Sequence, residues 1–77
     1  MSQVDELLAT AGQYRRLPGP RRRVRIREDA NVSARKMSDA LGVSPMTLWR
    51  WEHGTRPHAR HVRAYADLLE QLEGIAA

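Results

Sequence analysis

The sequence predicts an all-α fold, a bundle of four to five helices. Strand signals are weak, because phenylalanine is absent and no stretch alternates apolar and polar residues for long. Apolar residues instead recur every three or four positions along the 77-residue chain, which is the spacing of amphipathic helices. Glycines and prolines fall between these periodic segments and mark their ends. A chain of this length forms one domain with a small core.

The first predicted helix covers residues 3–12. Ser2 is a suitable N-cap, and Gly12 is the predicted stop. The apolar residues of this helix share one face: Val4, Leu7, Leu8 and Ala11. This stripe either packs within the chain or meets a partner. The same two alternatives hold for a second apolar edge, formed by Leu68, Leu72 and Ile75.

A second helix is predicted over Arg21–Ala30, after the helix-breaking cluster Leu17–Pro20. Asn31 suits the left-handed conformation that ends such a helix, since asparagine tolerates positive φ better than most residues. The apolar residues of this helix are few: Val24, Ile26 and Ala30.

Two short helices follow, predicted over Ala34–Leu41 and Pro45–His53. Ser33 and Ser44 are suitable N-caps, and proline at the first helical position loses no hydrogen bond. Gly42 falls where the end of the first helix needs positive φ. The residues expected to face inward are Met37, Ala40, Leu41, Leu48 and Trp51, with Val43 in the link between the helices. Two helices of this length with so short a link predict a helix-turn-helix.

The last helix is predicted over His58–Glu73, after Gly54 and the loop 55–57. Its buried face comprises Val62, Tyr65, Ala66, Leu69 and Leu72. A helix-turn-helix cannot bury its apolar faces alone, so the flanking helices are expected to close the core. The predicted organisation is an N-terminal amphipathic helix and linker, the helix-turn-helix domain and a tail, over residues 1–17, 18–73 and 74–77.

The basic residues are concentrated in the middle of the chain. All thirteen lie between Arg15 and Arg63, where only four acidic residues accompany them, and the flanking ends carry only acidic charges. Twelve of the thirteen are arginines, whose planar guanidinium suits phosphates and guanine edges. A polyphosphate is the natural partner of such a segment. The composition alone equally fits a solvated arginine-rich surface.

Several classes of protein are disfavoured by the composition. The chain has no cysteine, which excludes disulfides and thiolate zinc sites. No apolar run approaches the roughly 20 residues needed to cross a membrane, and the N-terminus lacks the order of a signal peptide. No pairing of nucleophile and base, phosphate loop or paired carboxylates occurs at a useful spacing, so we expect no enzyme and no cofactor. The three histidines lack the spacing of a metal site, so no metal is expected.

Three segments and one further residue together carry a family pattern: Arg27–Ser33, Met37, Ala40–Ser44 and Thr47–Gly54. They resemble the Xre/Cro family of phage-repressor-like helix-turn-helix proteins, and the similarity extends over about Arg21–Leu72. The resemblance implies a lambda-repressor-like bundle in which the third predicted helix positions the fourth on DNA. The chain departs from the family at Asn31, where the family usually has glycine. It departs again at Ala34, where a glutamine often touches a base pair or a phosphate.

The fourth predicted helix, Pro45–His53, is the expected recognition helix, because an α-helix fits the major groove and its first turns reach base edges. The expected base contacts lie on the side opposite the inward residues: Pro45, Met46, Thr47 and Arg50. For Arg50, readout of guanine and clamping of a phosphate both remain open. The expected phosphate contacts are Ser33, Arg35, Lys36, Ser44, Trp49, His53 and Arg56. The resemblance further implies a structural ion pair between Arg27 and Glu52.

The function expected from these residues is sequence-specific binding of double-stranded DNA by a small transcriptional regulator, a repressor. A homodimer on palindromic or paired half-sites is expected, with no small-molecule ligand and no membrane. The expected location is the cytoplasm and nucleoid of a prokaryote or phage-infected cell. Two alternatives stay open: a DNA-bending accessory or excision factor for recombination, and a protein-interaction module, antitoxin-like or anti-host, built on the same scaffold.

Overall fold

The computed structural model describes residues 2–76, which form five helices and no strand. The helices are α1 (Gln3–Arg16), α2 (Pro20–Asp29), α3 (Ala34–Leu41), α4 (Pro45–Glu52) and α5 (Ala59–Ala76). The predicted all-α class and the number of helices are confirmed. Helices α2 to α5 enclose one core, and α1 lies outside it against α5.

Helix α1 begins where predicted, because the Ser2 side chain accepts a hydrogen bond from the Asp5 amide at 3.2 Å. The prediction that Gly12 ends the helix is wrong, since α1 continues to Arg16. A glycine inside a helix costs only about 1 kcal/mol relative to alanine, which contacts made by the next residues can offset. The chain leaves the helix at Leu17, where Pro18 disfavours helical backbone in the residue before it.

The ends of α2, α3 and α4 follow local sequence closely. Asn31 and Gly42 both adopt left-handed backbone, with φ of 60° and 68°. Ser33 and Ser44 accept hydrogen bonds from the amides of Lys36 and Thr47, each at 3.1 Å. The predicted caps of this segment are therefore present. Helix α2 begins one residue earlier than predicted, because its first helical position is a proline. Helix α4 ends at Glu52, one residue earlier than predicted, because His53 leaves helical backbone as its C-cap.

The core is built from one face of each of the four inner helices. Its buried apolar residues are Ile26, Met37, Leu48, Trp51, Val62, Tyr65, Ala66, Leu69 and Leu72. The expectation that Ala40 faces inward is wrong, since it is exposed and Ser38 is buried in its place. Serine is tolerated there because its hydroxyl donates to the Arg35 carbonyl at 2.9 Å.

Helix α5 is longer than predicted at its C-terminus. Residues 74–76, expected as a tail, continue the helix, and Ala77 lies outside the described residues. The predicted edge of Leu68, Leu72 and Ile75 is not one surface. Leu72 belongs to the core with 8% exposure, whereas Ile75 is 74% exposed.

Candidate nucleic-acid interface

The turn between α3 and α4 fixes the direction in which α4 leaves the core. After Gly42 reverses the chain, the Val43 amide donates to the Ser38 carbonyl at 3.0 Å. Leu48 and Trp51 are then buried, with 0% and 3% exposure, and hold the rotational setting of α4. The opposite side of the helix is consequently turned to solvent.

That exposed side of α4, called here the recognition face, carries Met46, Trp49 and Arg50, with His53 at the end of the helix. Met46 and Trp49 are 58% and 54% exposed, which is high for large apolar side chains. Arg50 and His53 are also exposed. Within residues 2–76 the Arg50 guanidinium makes no hydrogen bond or salt bridge. Its donors are therefore free to meet an acceptor outside the chain.

Two other expected base contacts lie at the edge of the recognition face. Pro45 is exposed at the first position of the helix. Thr47 is half-buried, and its hydroxyl lies 2.9 Å from the Ser44 hydroxyl that caps the helix. The Thr47 hydroxyl therefore shares its hydrogen-bonding capacity with the cap.

The aromatic rings at the end of α4 form a stack. The rings of Trp49 and His53 are 3.9 Å apart between centroids and inclined by only 16°. The His53 Nδ1 lies 2.7 Å from the Trp49 carbonyl oxygen, which fixes the imidazole against the indole. Trp49 and Trp51 thus point to different environments, as their separation of two positions predicts.

Arg27 and Glu52 join α2 to the end of α4. The Arg27 Nε donates to Glu52 Oε2 at 2.7 Å, and one terminal nitrogen donates to Oε1 at 3.1 Å. The other terminal nitrogen donates to the Val32 carbonyl at 2.9 Å. The two side chains are only 12% and 7% exposed, and the hydrogen bonds to Glu52 raise the pKa of Arg27. The resemblance implied this pairing, and the structure brings the two groups together.

The first turn of α5 lies beside the start of α4, which the sequence does not reveal. An open concavity at this point is lined by Gly42, Val43, Ser44, Thr47, Trp51, His58, Arg60 and His61. Arg60 was not among the expected contacts, although it is exposed and lines the same concavity as Ser44 and Thr47. Its position depends on packing between helices that are distant in sequence. The only available sequence signal was an arginine soon after the Thr55–Pro57 loop.

The remaining expected phosphate contacts are all exposed, but their surroundings differ. Ser33 caps α3, and Lys36 lies one turn further along. Arg35 approaches Asp39 at 3.6 Å on the surface of the same helix. Arg56 turns toward α1, where its guanidinium carbon lies 4.0 Å from the centre of the Tyr14 ring. One face of that guanidinium is therefore covered by an aromatic ring.

The arginines that follow Pro20 are not equivalent. Arg23 donates to the carbonyls of Pro18 and Trp51, at 2.7 and 3.0 Å, and so ties α2 to α4. Arg22 forms a salt bridge with Glu73 of α5. Two of these guanidinium groups therefore bind acceptors within the chain, which the sequence alone does not show.

His53 lies apart from the other two histidines, and Arg60 donates hydrogen bonds to both His58 and His61. His61 tilts against Trp51 with ring centroids 5.4 Å apart, and the His58 Nδ1 accepts from the Arg60 amide at 3.2 Å. In the part of the chain that the structure describes, no group of three or more histidine, aspartate or glutamate residues is placed to hold a metal ion. None of the helices in residues 2–76 combines the length and apolar character that spanning a bilayer requires.

Comparison with curated proteins and with solved structures gives no significant match. A family model described as a helix-turn-helix domain matches residues 22–73, about two thirds of the chain. The matched segment contains the α3–α4 turn and the recognition face, and it ends within α5. The match indicates DNA binding, and it favours a binding module over a catalyst. The chain therefore belongs to the helix-turn-helix domain family.

Proposed function

We propose that this protein is a sequence-specific DNA-binding repressor of the Xre/Cro type that inserts α4 into the major groove. The observation that carries the proposal is the recognition face. Leu48 and Trp51 hold α4 from the inside, and Arg50 projects from the other side with unused donors. The family match to residues 22–73 supports the same assignment.

Arg50 is the proposed reader of a base. The guanidinium of an arginine can bond O6 and N7 of one guanine together, which discriminates against other bases by about 1–3 kcal/mol. Met46 and Pro45 offer only apolar contact, for example to a thymine methyl group. Direct readout by this helix is therefore limited, and contacts to the backbone and the shape of the DNA supply the rest of the specificity.

The proposed backbone contacts surround α4. Ser33, Arg35 and Lys36 start the positioning helix, and Ser44 starts α4, where exposed amides favour a phosphate. At the other end of α4 the proposed contacts are Trp49, His53 and Arg56. A single domain of this size covers a short half-site, so we include in the proposal a homodimer on two half-sites about one helical turn apart.

The test is selection of bound sequences from random duplexes at physiological salt. A conserved, two-fold symmetric motif is the expected outcome. Arg50→Ala should relax the preference at one G·C pair in each half-site, whereas Arg35→Ala should weaken all sites evenly. Arg25→Ala is the matched control and should leave the selected motif unchanged. Arg25 is exposed on α2 beside Glu73 and Ala76, away from α4.

Two outcomes would overturn the proposal. One is a selection that returns no preferred sequence, which would leave non-specific or architectural binding. The other is binding that hardly changes with salt. A protein with six to ten phosphate contacts loses roughly 10³–10⁵ in affinity between 50 and 200 mM salt, whereas a protein-interaction module does not.

A further inference from the structure

Helix α1 is held to the rest of the fold by its C-terminal end and not by its apolar face. Val4, Leu7 and Leu8 are 64%, 69% and 65% exposed, and no described residue of α1 is buried. The hydrogen bonds and salt bridges that attach the helix come from Tyr14 and Arg16, near its last turn. The whole helix also precedes the segment that matches the family. Its contribution to the domain therefore comes from the contacts of these two side chains.

Arg16 fastens α1 to the side of α5. Its guanidinium donates to Asp67 at 2.5 Å and forms a second salt bridge with Glu70 at 3.0 Å. Tyr14, two positions earlier on α1, lies against the segment that joins α4 to α5. This segment, residues 53–58, is called here the α4–α5 loop. Helix α1 therefore reaches the chain that directly follows the recognition face.

Tyr14 contacts two successive residues of the α4–α5 loop. Its hydroxyl donates to the Pro57 carbonyl at 2.6 Å, and the Arg56 guanidinium carbon lies 4.0 Å from the centre of its ring. The Pro57 side chain is itself fully buried, and the Thr55 amide donates to the Arg50 carbonyl at 2.9 Å. The loop is therefore fixed to the end of α4 on one side and to α1 on the other.

The Arg56 guanidinium keeps its hydrogen-bond donors free in this arrangement. The five N–H groups of a guanidinium lie in its plane, whereas an aromatic ring that stacks on it covers only its face. Arg56 is exposed, and within residues 2–76 its side chain forms no salt bridge and donates no hydrogen bond. Arg16, Arg22 and Arg27, by contrast, each bind a carboxylate of the chain. Tyr14 thus restrains Arg56 without using the groups that bind a phosphate.

We propose that Tyr14 is a positioning residue for DNA binding, which holds Arg56 and the α4–α5 loop in place for a phosphate of the DNA backbone. The inference rests on the proposed function, in which Arg56 is a backbone contact. It gives a role to α1, which lies outside the segment that matches the family. An arginine side chain loses rotamer freedom when it binds, and one that is already ordered loses less. Tyr14 therefore strengthens binding without touching the DNA.

The experiment measures the affinity of the purified full chain for short duplexes of random sequence, by fluorescence anisotropy at about 50 mM salt. Random duplexes suffice because phosphate contacts supply essentially all of non-specific binding. Tyr14→Leu should weaken binding about two- to tenfold, since ordering one long side chain has a cost of that size. Tyr14→Phe keeps the ring and should fall between Tyr14→Leu and the unaltered chain. Leu7→Ala is the matched control, because it shortens an exposed apolar residue of the same helix and should leave the affinity unchanged.

A double-mutant cycle with Arg56 separates positioning from a general loss of stability. Arg56→Ala should weaken binding and reduce the slope of log affinity against log salt by about one. In that background Tyr14→Leu should have no further effect, because the side chain that it positions is gone. A tyrosine that merely stabilised the fold would weaken binding equally in both backgrounds. Circular dichroism establishes that each variant is folded, which is expected because α1 contributes no buried residue.

The positioning role is refuted by any of three outcomes: an unchanged affinity in Tyr14→Leu, an equal loss in the Arg56→Ala background, or a Tyr14→Phe variant that binds no better than Tyr14→Leu. Each of these leaves the proposed function standing, since the recognition face is unaltered. A selection that returns no preferred sequence would refute the repressor, but it would not change these affinities. A chain that binds no duplex at all would refute both.

Discussion

Replacing Glu52 with alanine would remove the carboxylate that joins the end of α4 to α2. Arg27 would keep its hydrogen bond to the Val32 carbonyl but would lose both bonds to Glu52, which are 2.7 and 3.1 Å long. With only 12% of its side chain exposed, the guanidinium would carry a charge without an ionic partner in a mostly buried place. Glu52→Ala should therefore lower the free energy of unfolding by more than the removal of a surface charge does.

The magnitude follows from the burial of the pair. Removing one partner of a buried ion pair costs about 3–5 kcal/mol. Because some of Arg27 remains in contact with solvent and one hydrogen bond survives, we expect the lower end, about 3 kcal/mol. A domain of this size is stable by roughly 4–12 kcal/mol, so the loss is a large share of the total. It corresponds to a fall in melting temperature of about 12–24 °C.

The assay is thermal unfolding followed by circular dichroism, with DNA affinity measured at a temperature where the variant is still folded. Asp39→Ala is the matched control. It removes the partner of Arg35 in a pair whose side chains are 78% and 66% exposed and 3.6 Å apart. Such a pair contributes less than about 1 kcal/mol. DNA affinity should fall with Glu52→Ala, because the pair sets the angle of α4. A melting temperature no lower than that of the control would refute the structural role of the pair.

Further outcomes are expected for the aromatic residues. Trp51→Ala should cost about 3–5 kcal/mol in urea unfolding, because the ring is 3% exposed, whereas Trp49→Ala should cost less than about 1 kcal/mol. Similar losses for the two would contradict the described setting of α4. Burial raises the pKa of Tyr65 to about 12 from its ordinary 10.0, so stability should be complete below pH 10 and decline as the pH rises toward 12. Tyr65→Phe should flatten that decline and match or exceed the original stability at pH 7, since the hydroxyl has no hydrogen-bond partner within residues 2–76. Urea unfolding at pH 7 and at a pH near 12 measures the free energy of unfolding of both proteins. An unchanged decline in Tyr65→Phe would assign the pH dependence to another group.

Local sequence determined most of the helix boundaries. A serine before a helix and a residue with left-handed backbone after it act through hydrogen bonds and sterics within a few positions. This is why Ser33, Ser44, Asn31 and Gly42 could be assigned from the chain alone. The same locality explains the buried face of α5, since its apolar residues recur at the helical period. It also explains the error at Gly12, because a local stop signal was overridden by contacts further along α1.

The candidate interface was only partly accessible from sequence. The outward side of α4 follows from the inward setting of Leu48 and Trp51. The position of Arg60 in the same concavity as Ser44 does not, because these residues belong to segments that come together only in the folded chain. The sequence likewise does not distinguish Arg23 from the arginines beside it, because its hydrogen bond to the Trp51 carbonyl joins two helices that are distant in sequence. The burial of Ser38 in place of Ala40 depends on how α3 is rotated against its neighbours.

The sequence by itself determined that this protein is a helical domain with a helix-turn-helix. The period of its apolar residues and the chemistry of its caps are properties of short segments. The tertiary structure alone decided that the apolar residues Val4, Leu7 and Leu8 of α1 face solvent, because the contacts that orient α1 join Tyr14 and Arg16 to residues 43 to 54 positions away. An amphipathic pattern shows that one face is apolar. Which way that face points is decided by the contacts that distant parts of the chain make with the helix.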